Sequence, residues 1–76
     1  MGVMMKELEF FKEIRFYLCE EAYYGKVKDE TEKAYLVDFD GFERWLPKSQ
    51  LSVYENDVVV EDWLARKILG ELEEQQ

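Results

Sequence analysis

The sequence predicts a mainly β chain, a small and mostly antiparallel β-barrel of about five strands with one C-terminal α-helix. Three observations carry that prediction. Ile14, Phe16 and Leu18 alternate with Arg15, Tyr17 and Cys19, the two-residue period of a strand with one face buried. Two apolar runs, residues 34–39 and 42–46, flank Asp40-Gly41, a dipeptide suited to the positive φ angles of a two-residue type I′ turn. After Asp62 the apolar residues switch to a 3.6-residue repeat.

Taken in order, residues 1–12 admit two readings. Met4, Leu8 and Phe11 suit a helical face, while Leu8 and Phe10 suit a strand. The first clear strand starts at Lys12, and a second around residues 23–28 precedes the polar loop Asp29-Glu30-Thr31-Glu32-Lys33. In the hairpin that follows, a two-residue turn pairs Phe39 with Phe42, Val37 with Arg44 and Tyr35 with Leu46 on one face. Leu36 with Trp45, and Asp38 with Glu43, fall on the other. Large apolar groups on both faces predict a hairpin covered on both sides.

Pro47 cannot donate to a strand ladder, so the strand through Trp45 ends there or lies at an edge. Lys48-Ser49-Gln50 then reads as one turn of 3₁₀ helix that returns Leu51 to the core. Residues 51–54 and the stiff run Val58-Val59-Val60 form strands around Glu55-Asn56-Asp57. Asp62 is placed to cap a helix over residues 62–72, whose buried face is Leu64, Ala65, Ile68, Leu69 and Leu72. Gly70 weakens that helix and marks its fraying end, and the tail Glu73-Glu74-Gln75-Gln76 is solvated. No internal repeat or linker is visible, so the 76 residues read as one domain.

A chain this short buries only about 60 to 65% of the surface its unfolded form exposes. Its twelve aromatic residues supply the dense core that such a size needs. The net charge of −8 is weighted toward the C-terminal end, and a shortage of Lys and Arg disfavours duplex nucleic acid as a partner. Cys19 is alone, which leaves no intramolecular disulfide and no cysteine-based zinc site. The start MGVMMKELEFF lacks the pattern of a signal peptide, and no run approaches the ~20 apolar residues of a membrane span. Cytoplasmic localisation with no membrane contact is the resulting expectation.

The absence of histidine removes Ser-His and Cys-His nucleophile pairs together with most zinc sites. No glycine-rich phosphate loop is present, and no spacing singles out a carboxylate pair for acid–base work. The expectation is therefore a protein that is not an enzyme and needs no cofactor or metal. Asp38, Asp40 and Glu43 around Gly41 read as a turn rim, because Phe42 and the glycine position do not fit a calcium loop. Cys19 reads as a small packing residue.

Candidate contacts come from the stretch ERWLPKSQL and from the last helix. Pro47, Ser49 and Leu51 turn the chain, whereas Trp45, Lys48 and Gln50 form an aromatic plate beside a cation and an amide on an exposed rim. Trp63 shares a helix side with Arg66 and Lys67, opposite Leu64 and Ile68. It either anchors a partner together with Arg66, since Trp and Arg dominate interface hot spots, or bends back to close the end of the barrel.

The segments AYLVDFDGFERWLPKSQL and VVVEDWLARKILG resemble a family of small prokaryotic and phage proteins of uncharacterised function. Its pattern is an alanine-led strand, a glycine turn, the motif Trp-x-Pro-Lys-Ser-Gln and a closing Trp-Leu-Ala helix. The resemblance covers residues 33–70 and implies an SH3-like barrel, with no activity to transfer. An OB-like barrel and an α+β sheet with an N-terminal helix are the competing architectures. The element order also resembles SH3 domains, which read proline-rich ligands with a tryptophan well ahead of their proline and a tyrosine just after it. Here Trp45 stands two positions before Pro47 and Gln50-Leu51 replaces the tyrosine, so that groove is not carried over.

Three functions are open on these residues. The first is an interaction module that docks on an unidentified protein partner, within a nucleic-acid-handling or phage-related assembly, through Trp45, Lys48, Gln50, Trp63 and Arg66. The second is an acidic mimic of nucleic acid that inhibits a basic nucleic-acid-binding protein. The third is a single-strand binder that stacks bases on Tyr23, Tyr24 and Trp45.

Overall fold

The structure is a computed structural model that describes residues 12–55 and 57–74. Strands β1 (Glu13–Leu18), β2 (Glu21–Glu30), β3 (Ala34–Phe39), β4 (Phe42–Pro47), β5 (Leu51–Tyr54) and β6 (Asp57–Val60) precede one helix, α1 (Asp62–Glu74). They form a single sheet in the order β4-β3-β2-β1-β6-β5, curled into a half-barrel around the helix. The mainly β class and the C-terminal helix are as the sequence predicts. The strands number six, and β1 with β6 is a parallel pair in an otherwise antiparallel sheet. Alternation tells which face of a strand is buried and leaves its neighbour open, so the parallel pair has no local signature. The two readings of residues 1–12 lie, apart from Lys12, outside the described residues, as do Gln75 and Gln76 of the tail.

The core fills the concave side. Ile14, Phe16, Leu18, Val27, Val37, Leu46 and Val58 from the strands meet Leu64, Ala65 and Ile68 of α1, and no described polar or charged residue is buried. Phe16 packs edge-on against Phe39, with ring centroids 5.3 Å apart and planes at 73°, a favoured geometry for the ring quadrupoles. Gly25 makes this approach possible. A Cβ there would stand 2.8 Å from Val37 Cγ1 and 3.1 Å from the Phe16 ring.

The β3–β4 hairpin has the predicted register at all five pairs. Asp40 (φ 53°) and Gly41 (φ 100°) both take positive φ, as a type I′ turn requires. The Asp38 carboxylate accepts the Gly41 N–H at 2.7 Å, so the acidic rim supports the turn. Its outer side is less covered than predicted, with Leu36 half-buried and Trp45 exposed, because α1 lies only on the concave side. The 3₁₀ turn Lys48–Gln50 forms as predicted and delivers a buried Leu51 to β5.

Four local expectations change. Cys19 is exposed and not packed: it occupies the first position of the two-residue β1–β2 turn with φ 62°, so its side chain leaves the strand's alternation. The β5–β6 loop has two residues rather than three, since Asp57 pairs with Tyr54. The carbonyl of Glu61, not Asp62, accepts the first helical N–H, from Ala65 at 2.8 Å. Asp62 is thus the first helical residue, and its carboxylate bonds Arg66 one turn on. Finally, α1 continues through Gly70 to Glu74, because Leu69 and Leu72 on either side of the glycine pack against the core.

Candidate functional site

The 3₁₀ turn and the first turn of α1 form one unit. The Gln50 carbonyl accepts the Glu61 N–H at 2.9 Å, and Gln50 Oε1 accepts Trp63 Nε1–H at 2.8 Å. Gln50 Nε2 in turn donates to Ser49 Oγ at 3.2 Å. Pro47 sets this up by ending β4 and starting the turn, which brings residue 50 beside residues 61 and 63. The Trp63 indole remains 57% exposed although its N–H is held. Arg66 lies on the next turn and is exposed; Nη2 reaches Asp62 Oδ2 at 3.2 Å. An exposed i,i+4 pair of this kind contributes only about 0.3–0.5 kcal/mol, so Arg66 is cheaply released to a ligand. It borders a cleft of about 640 Å³ with Leu18, Glu21 and Leu69.

The other two predicted contacts are differently placed. Trp45, 40% exposed, lies on the convex face of the edge strand β4 opposite Leu36 and takes no part in the Gln50–Trp63 bracket. Its carbonyl accepts Arg44 Nη1–H at 2.8 Å, which occupies part of the strand edge. Lys48 is half-buried, bonded to the Glu30 carboxylate and 4.7 Å above the centre of the Tyr35 ring. A register shift between Val27 and Asp29 causes this, by turning Glu30 to the concave side opposite Tyr35. The proposed base-stacking trio does not assemble: Tyr23 packs against the core on the concave side, whereas the adjacent Tyr24 is 59% exposed on the convex side.

Among the described residues, two titrations are perturbed, each by a visible contact. The Tyr23 hydroxyl donates to Glu21 Oε1 at 2.8 Å, and this bond, with partial burial and the nearby Glu73, raises its pKa. The Arg15 guanidinium is held in its charged form by hydrogen bonds to Asp57 at 2.9 and 3.3 Å. A larger cleft of about 840 Å³ lies between the β3–β4 turn and Leu72, lined by Tyr23, Phe39 and Phe42 with Glu13 and Lys26. Among the described residues, no group of three or more His, Cys, Asp and Glu is arranged to hold a metal ion. No described helix is long and apolar enough to cross a membrane.

Sequence reasoning missed Tyr54, which is 60% exposed, and Val59, which is also exposed. Both point away from the core, and the parallel β1–β6 pairing sets them beside Tyr17 and the Arg15–Asp57 pair. The uniform run Val58-Val59-Val60 shows no apolar and polar alternation that would mark which valine faces outward. No protein-family model, curated protein or solved structure matches the chain.

Proposed function

We propose that the protein is a non-catalytic interaction module that docks on a protein partner through Trp63, Arg66 and the 3₁₀ turn, with Trp45 as a second aromatic contact. The observation that carries this reading is the Trp63 indole, largely exposed and yet oriented by Gln50. A side chain held in place before binding loses less conformational entropy on contact, so it contributes more of its buried area to affinity. Tryptophan and arginine one turn apart are the residue types that most often act as such anchors.

The test is a pull-down from the source organism's lysate with the parent chain, Trp63→Ala, Trp45→Ala and Gln50→Ala, each checked by circular dichroism. Trp63→Ala is expected to stay folded and lose the captured protein, and Gln50→Ala to stay folded and weaken capture. Unchanged capture by folded Trp63→Ala and Trp45→Ala would end the reading, as would unfolding of both.

The charge surplus favours one alternative. Eighteen acidic residues stand against ten basic ones, and four of the bases, Arg15, Arg44, Lys48 and Arg66, are each already paired with a carboxylate. An acidic mimic of nucleic acid would bind its basic target in a salt-sensitive way, whereas aromatic docking would persist at ~0.5 M salt.

A further inference from the structure

We propose that the convex face of β2, β1, β6 and β5 binds a second copy of this chain, about a two-fold axis that runs along the strands between β1 and β6. The row Tyr24, Arg15, Asp57, Tyr54 crosses these four strands at one level, as the pairings Arg15 with Tyr24, Arg15 with Asp57 and Tyr54 with Asp57 require. The row reads aromatic, cation, anion, aromatic. A half-turn about the axis reverses it and lays it on itself, so that Arg15 faces Asp57 of the second copy and Tyr24 faces Tyr54. The next outward row repeats the match, with Tyr17 facing Val59 across the axis.

This self-complementarity selects the occupant. A surface that must match its own two-fold image needs opposite charges at equal distances on either side of the axis, and Arg15 and Asp57 stand that way on adjacent strands. Nucleic acid fits poorly, because the row balances one cation with one anion and so presents no net positive charge to phosphate. Curvature is accommodated as well. A curled sheet falls away on both sides of the axis, and the long side chains Tyr24 and Tyr54, both exposed, stand on the outer strands of the row where the gap is widest. Strands about 4.8 Å apart make a four-strand patch about 14 Å wide between backbones. That is a small interface, so the dimer is weak and concentration-dependent.

Sedimentation velocity and translational diffusion over a concentration series to about 1 mM, near the limit of detectable specific affinity, test the proposal. The parent chain is expected to shift from monomer to dimer, and Tyr54→Glu to raise the dissociation constant about tenfold or more. Arg15→Asp and Asp57→Arg each set like charges face to face, so each alone is expected to be monomeric. Mixed in equal amounts they restore opposite charges across the axis and form a mixed dimer. The chain carrying both substitutions complements itself and dimerises like the parent.

Arg15 and Tyr54 are exposed, Asp57 is half-buried and none of the three lies in the core, so circular dichroism is expected to show all variants folded. Trp63→Ala leaves the dimer unchanged, which separates this result from that of the proposed partner docking. The proposal is overturned by a parent chain that stays monomeric throughout. It is equally overturned by a dimer indifferent to the single charge reversals or dependent on Trp63, or by a mixture that fails to associate.

Discussion

Phe16 and Tyr17 are neighbours in β1, yet Phe16 is wholly sealed against Phe39 while Tyr17 stands beside Val59 on the other side of the sheet. The same contrast runs through the molecule. The buried part of the concave face holds only apolar side chains fitted to one another around α1, so closely that a Cβ at position 25 would displace Val37, and the pairs Arg44–Glu71 and Lys48–Glu30 lie at its margin. The convex face mixes Tyr24, Tyr54, Trp45 and Val59 with the Arg15–Asp57 pair. One face therefore carries the stability of a small domain, and the other is left to present aromatic groups at little cost to the fold.

The sharpest break of this contrast is Phe16→Ala, which removes a fully buried ring and leaves a cavity. It should cost about 3–5 kcal/mol, a large share of the roughly 5–15 kcal/mol that holds a domain folded. Urea titration should show the transition lost or moved far toward water, whereas Trp45→Ala on the convex face should hold its midpoint to within about 0.5 kcal/mol.

Gly25→Ala is next, because its new methyl overlaps Val37 and crowds the Phe16 ring. A loss of about 1–3 kcal/mol by the same titration is expected. Arg44→Ala probes the margin between the faces: its guanidinium makes a two-pronged pair with Glu71 at 2.9 and 3.2 Å and ties β4 to α1. A loss of about 1–2 kcal/mol is expected, with only partial recovery in Arg44→Lys, which lacks the planar fork.

The smallest effect is a pH dependence. The folded protein raises the pKa of Tyr23 above its ordinary value of 10.0, chiefly through the bond to Glu21. A raised folded pKa means that the folded state keeps this proton more tightly, so the contribution is complete below pH ~10 and lost as pH climbs through the folded value. Thermal midpoints measured from pH 9 to 11.5 should fall more steeply for the parent chain than for Tyr23→Phe.

The β3–β4 hairpin was legible to the residue because a two-residue turn sets its register, and alternation outward from Asp40-Gly41 assigns each side chain to a face. The helix face and the 3₁₀ turn were legible for similar reasons of local period and proline punctuation. Of the candidate site, the sequence identified Trp63 and Gln50 singly, and nothing in it joined them. Lys48 looked like a presented cation until the shift in β2 turned Glu30 to meet it. That shift depends on how β2 lies against β3, and the residues Val27-Lys28-Asp29 carry no glycine or proline to announce it.

By itself, then, the sequence determined the elements and the face of each clearly alternating strand that turns inward, since backbone period and hydrophobic burial act over a few residues. Beyond the β3–β4 hairpin, tertiary structure decided the neighbours. The parallel lie of β6 on β1 made a row of Tyr24, Arg15, Asp57 and Tyr54, and the closing of α1 onto the 3₁₀ turn oriented Trp63. Both bring together residues far apart in the chain, and such contacts are selected by the packing of the whole core rather than by any local preference.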